Sequence, residues 1–143
     1  MNSEFGVAVH ALVYLNHKGA LVSSEALAGN ICTNPARVRK IMAKLKKAGL
    51  VFTREGLEGG YSFQKEPQCV TLYDVAQALD CRFVASSWRS GNTDLPCLIA
   101  SGMAGVLDGI YEELDKGCKE TLAKITIADI DGRIFKKEEK EEV

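Results

Sequence analysis

Apolar positions set the first expectations. Phe5, Ala8, Val9, Leu12 and Leu15 recur at the spacing of one helical face, predicting an amphipathic helix over about residues 3–16, stopped at His17-Lys18-Gly19. A second, short helix follows, capped by Ser23 or Ser24, with Glu25 in its first turn and Leu27, Ala28 and Ile31 turned inward. Asn34-Pro35 restarts the chain. Proline disfavours α geometry in the residue before it and suits the first helical position, so a third helix is predicted from Pro35 to about Ala48, ended by Gly49. Two short aromatic and β-branched runs, 51–54 and 61–64, flank Glu55-Gly56-Leu57-Glu58-Gly59-Gly60 and predict a β-hairpin with a glycine tip. Residues 71–79 read as a short helix and the polar run 82–94 as a loop. From about Leu95, an apolar stripe through Met103, Val106, Leu107, Ile110, Leu114, Leu122 and Ile125 predicts a long helix, with a break at Gly117 left open. The terminal KKEEKEEV is expected to be solvated and disordered.

The predicted fold is therefore mainly α with a small β-hairpin wing. A winged helix-turn-helix domain occupies residues 1–80, a linker or sensing loop 81–96, a dimerisation helix region 97–128 and a charged tail 129–143. With 143 residues, 46% of them hydrophobic, the chain can bury one good core and is too short for two ordinary domains.

Charge becomes informative only when it is located. Basic and acidic residues nearly balance, 18 against 19, yet the stretch from Thr33 to Ala48 holds six basic residues and no acid. Val38, Ile41, Met42 and Leu45 take the core side of the third helix, leaving Arg37, Arg39, Lys40, Lys44, Lys46 and Lys47 for the outside. Helices built only for solubility mix the two signs, so this face reads as a footprint for double-stranded DNA. A helix fits the major groove, where arginine bonds guanine in bidentate fashion and lysine neutralises phosphate. Arg37, Arg39 and Lys40, near the helix start, are the candidate base readers; Lys44, Lys46 and Lys47 are the candidate phosphate contacts. Asn34 and Pro35 open the reading helix. In the wing, Gly56, Gly59 and Gly60 are expected to turn the chain through positive φ and to bring backbone amides close to a phosphate or the minor groove, with Arg54 and Tyr61 at its base.

The run TNPARVRKIMAKLKKAGLVFTREGLEGGY, the opening FGVAVHALVYL and the later CVTLYDVAQAL resemble the Rrf2 family of bacterial winged-helix regulators, over nearly the whole chain. That family includes repressors of iron–sulfur assembly, nitric-oxide response and cysteine metabolism. The resemblance implies a homodimer held by a long C-terminal helix, here Leu98 to Leu114, with two recognition helices, each Pro35 to Ala48, reading a palindromic operator. Met103, Val106, Leu107, Ile110 and Leu114 are the expected dimer interface. Members with an iron–sulfur cluster place three cysteines about six residues apart in the loop entering that helix. Around Cys97 the six-residue steps fall on Met103 and Gly109, or Gly91 and Ala85, so neither register is completed and no metal or other cofactor is expected. His10 matches a position where some relatives supply a ligand from the partner subunit, but Gly6 stands where those relatives carry an acid; with Tyr14 and His17 it reads as the polar flank of a helix.

The five cysteines, at 32, 69, 81, 97 and 118, contain no CxxC pair, which speaks against a disulfide framework or structural zinc site. Cys97, after Pro96 and just before a helix start, is the candidate redox thiol, against the plainer reading of a small residue at a helix entrance. Cys32 and Cys118 fall on apolar helix positions and are expected as core or interface filler. Trp88 lines an effector pocket or anchors the linker. With His10 and His17 the only histidines, and no nucleophile, GxxxxGK[ST] or HExxH motif, catalysis is not expected. No run approaches a membrane span and no signal peptide is legible, so the expected setting is cytoplasmic, with DNA, a second copy and a small-molecule or redox effector as partners. A competing expectation is a winged-helix interaction module that has lost DNA binding.

Overall fold

The computed structural model describes the backbone of residues 3–141 and the side chains of residues 3–136. Three helices open the chain: α1 (Ser3–Lys18), α2 (Ser24–Ile31) and α3 (Pro35–Lys47). Their starts are written in the sequence. Ser23, not Ser24, caps α2, its hydroxyl accepting from the Ala26 amide at 3.1 Å; Asn34 caps α3, its Oδ1 accepting from the Arg37 amide at 2.8 Å, with Pro35 in the first helical turn. Gly49, at φ +77°, ends α3 and turns the chain so that Leu50 donates back to the Leu45 carbonyl at 2.9 Å.

The wing is a two-stranded antiparallel sheet, β1 (Phe52–Arg54) and β2 (Gly60–Ser62), in the register Phe52↔Ser62, Thr53↔Tyr61 and Arg54↔Gly60. Val22, just before α2, pairs with Tyr61 through two backbone hydrogen bonds of 2.8 and 2.9 Å, so the wing is stitched to the base of α2. The wing glycines serve differently from expectation. Only Gly56 takes a positive φ, +112°; Gly59 and Gly60 are required because a Cβ would collide with the Arg54 carbonyl and lie 2.5 Å from the Val22 carbonyl oxygen. After a single 3-10 turn at Pro67–Cys69, α4 (Leu72–Ala78) starts with a capping box between Thr71 and Asp74. Leu12, Leu15, Leu27, Val38, Ile41, Met42, Leu45 and Val75, all essentially inaccessible, form the core where α1, α2, α3 and α4 meet.

Two helices complete the chain, α5 (Leu98–Leu122) and α6 (Ile127–Glu141). The 25-residue α5 runs unbroken through Gly117. A tail beginning at 129 is corrected by the structure: Thr126 and Asp129 exchange side-chain-to-backbone hydrogen bonds of 3.1 and 2.9 Å, α6 starts, and the fully buried Ile127 enters the core. The expected solvated run KKEEKEEV is helical through Glu141; its last two residues lie outside the described residues. Cys32 is likewise not filler. It is exposed and ends α2 in a left-handed conformation, φ +65°. Among the described residues no helix is long and apolar enough to cross a membrane.

Candidate nucleic-acid interface

On α3 the fully buried Val38, Ile41, Met42 and Leu45 define the inward side, and the 100° step between residues then assigns every other position. The outermost ridge is Ala36, Lys40, Ala43 and Lys47, all exposed. Arg39 and Lys46, also exposed, lie on the flank toward the wing. Together with Ser23, Ser24, Arg54 and Gly60 they line an open groove of about 420 Å³ between the start of α2, α3 and the hairpin.

The other flank departs from the expected all-outward basic face. Arg37 is half-buried and donates to the Ser3 hydroxyl at 2.5 Å; Lys44, also half-buried, pairs with Glu4 at 3.1 Å. Both cations are turned toward the first turn of α1. The sequence pattern could not show this, because α1 reaches α3 only through the tertiary fold. The alanines of the outer ridge carry no charge signal, although the same helical spacing singles them out. Asn34 and Pro35 act in this structure as the start of the helix.

Arg39 is held loosely. Its Nη1 lies 3.3 Å from the Ser24 hydroxyl and 3.6 Å from a Glu25 carboxylate oxygen, with both charged side chains more than half exposed. Such an ion pair contributes little and is readily exchanged for a phosphate. Burial pushes the Tyr61 hydroxyl up, against a smaller lowering by Arg39, so the phenol stays a neutral hydrogen-bonding group beside the groove. Beyond Arg54 the wing tip presents Glu55, a wholly exposed Leu57 and Glu58.

The expected interface residues on α5 fall as follows. Met103, Val106, Ile110 and Leu114 are exposed, joined by Leu98 and Ile99, while Leu107 is half-buried. Cys97 is exposed at the N-cap of α5, where the amides of Ala100 and Ile99 hold its thiol below the usual range. Cys81, by contrast, is buried, and burial pushes its thiol up. His10 bonds to Asn30 at 2.7 Å, and Trp88 is exposed.

A helix-turn-helix with a stitched hairpin, presenting a basic ridge, defines a winged-helix protein of the kind that regulates transcription on DNA. Residues 1–131 match the profile of Rrf2, described as an iron-dependent transcriptional regulator, and the chain belongs to that family. It is similar to the HTH-type transcriptional regulator YwnA of Bacillus subtilis, 28% identical over 137 residues covering 94% of this chain and 99% of YwnA. Among solved structures it resembles a transcriptional regulator from Lactobacillus plantarum, with a TM-score of 0.80, 24% identity and full coverage of both chains. It also resembles CymR, the global cysteine regulator of B. subtilis, with a TM-score of 0.67, 18% identity, and 93% of this chain and 96% of CymR covered.

The family description raises iron, and the donor set of this chain does not fit a cluster. Among the described residues no three histidine, cysteine or acidic side chains converge to hold a metal. Cys97 is the only thiol between residues 82 and 117, Cys81 is sequestered in the core, and His10 is engaged with Asn30.

Proposed function

We propose that this chain is a sequence-specific DNA-binding repressor that works in the cytoplasm as a homodimer on a palindromic operator. The observation that carries the reading is the exposed ridge of α3, where Lys40 and Lys47 alternate with Ala36 and Ala43 and no acid intervenes. Small side chains let the helix approach base edges closely, alanine makes apolar contact with the thymine methyl, and lysine bonds guanine or phosphate. Arg39 and Lys46 clamp the phosphate strand that passes between α3 and the wing, joined by Arg54 and the Gly59-Gly60 backbone; Tyr61 supports the wing base. Arg37 and Lys44 hold α3 against α1 and stand further from the bases.

Two copies associate through the α5 stripe of Met103, Val106, Leu107, Ile110 and Leu114. An apolar face of this extent on one helix is more than a soluble chain leaves uncovered. A small-molecule or redox effector acts through the segment between α4 and α5, where Cys97 is the reactive thiol. A gel shift on the DNA upstream of the chain's own coding region tests the core reading. A retarded band that survives excess random DNA supports it. No retardation at low salt would instead favour a winged helix that binds only protein.

A further inference from the structure

The one buried residue of α5 is a carboxylate. Asp115 is 5% exposed, on a helix whose apolar residues are mostly exposed. One of its oxygens accepts from the backbone amides of Phe83 and Val84 at 2.6 and 3.0 Å, and the other from Lys119 at 3.1 Å. Phe83 in turn packs edge-on against Phe5 of α1, ring centres 5.1 Å apart at 89°. The carboxylate therefore fastens α5 to the segment leaving α4, and through Phe83 to the helix on which Arg37 and Lys44 rest.

This is a buried attachment, beside the exposed ion pairs of Arg82 with Glu112 and Arg89 with Asp108, which contribute little; another lies at the far end of the helix. At its C-terminal end α5 turns at Ile125, which accepts from the Leu72 amide at 2.8 Å, while Ile127 donates to the Val70 carbonyl at 2.9 Å. A helix fixed at one end can pivot. A second fixed point at Asp115, about 10 Å along the helix from its end at Leu122, sets its direction. The stretch from Leu98 to Leu114 projects past that point as a lever of about 25 Å, bearing the exposed apolar stripe. Turning such a lever by about 8° moves its end by about 3.4 Å, one base-pair step.

We infer that Asp115 is a positioning residue that sets the spacing of the two recognition helices, and hence the operator half-site spacing the dimer accepts. This rests on the homodimer reading above. Loss of the clamp leaves each α3 and its half-site contacts intact, while α5 takes a range of directions and the dimer tolerates several spacings.

The test uses the full chain and an operator selected by it from random DNA, then rebuilt with the half-sites one or two base pairs closer or further apart. Asp115→Leu keeps nearly the side-chain size but accepts no hydrogen bond, so the clamp opens while the winged domain should stay folded; Val84→Pro breaks the same clamp from the loop side by removing one amide donor. Wild type should lose about tenfold or more in affinity per base pair of altered spacing. Both variants should keep dimer mass, half-site affinity and salt slope, while that discrimination shrinks to about twofold. Wild-type spacing discrimination in both variants, with faster amide exchange at Phe83 showing the clamp open, would overturn the inference. Wild-type protein that binds one half-site as a monomer would instead remove the dimer reading itself.

Discussion

At the residue scale, the two sides of α3 should respond differently to substitution. Lys46→Ala should lower the slope of log affinity against log salt by about one unit with little change in sequence preference. Ala43→Glu puts a carboxylate on the outermost ridge, where it costs the fold nothing through burial; operator binding should fall at least tenfold while the thermal midpoint holds. Equal losses from the two variants on specific and random DNA, measured by fluorescence anisotropy, would refute this division of labour. The thiols give a second contrast. Cys97, exposed and held below the usual thiol range by the Ala100 and Ile99 amides, should be alkylated at neutral pH well before Cys81, which is buried and pushed up. Timed iodoacetamide labelling read by mass spectrometry checks the order, and faster labelling of Cys81 would contradict it.

At the element scale, α1, α2, α3 and the wing were legible because local signals agree. Ser23 and Asn34-Pro35 mark the helix starts, Gly49 marks a stop, and Val38, Ile41, Met42 and Leu45 keep the period. The helix α6 was hidden because its charged end resembles a solvated tail, although Ile127, Ile130 and Ile134 keep helical spacing and Thr126 with Asp129 forms the cap. Gly117 does not break α5, since a glycine inside a helix costs only about 1 kcal/mol and the anchor at Asp115 lies two residues away. The roles of Arg37, Lys44 and Asp115 lay beyond the pattern, because their partners are 34, 40 and about 31 residues away in sequence. Asp115 also gives this scale its prediction. Burial pushes its carboxyl up, but the Val84 and Phe83 amides and Lys119 outweigh that and hold it below the usual range. A depressed folded pKa contributes stability that is present above the unfolded value of about 3.9 and is lost as pH falls toward the folded one. Urea midpoints for wild type and Asp115→Asn should therefore lie well apart at pH 7 and converge below about pH 4; a constant gap would contradict the clamp.

At the scale of the whole molecule, the winged domain and the exposed half of α5 are separable in function. Val38, Ile41 and Leu45 build the first, while Met103, Val106, Ile110 and Leu114 are exposed and form the proposed interface. Ile110→Asp should place an unpaired charge in that interface and cost several kcal/mol of association, on the order of 3–5. Sedimentation should show a halved mass, circular dichroism a largely retained helix signal, and gel shifts a loss of operator binding with weak non-specific binding remaining. A dimer that still holds its operator would mean that the interface lies elsewhere.

The most direct measurement of the central claim is an equilibrium titration of the full chain, across a salt series, on its selected operator, one isolated half-site and a scrambled duplex. The account predicts tightest binding to the intact inverted repeat at two chains per duplex. It also predicts weaker binding to the half-site, weakest to the scramble, and log affinity falling linearly with log salt by several units of slope. Equal affinity for operator and scramble, or a flat salt dependence, would contradict it.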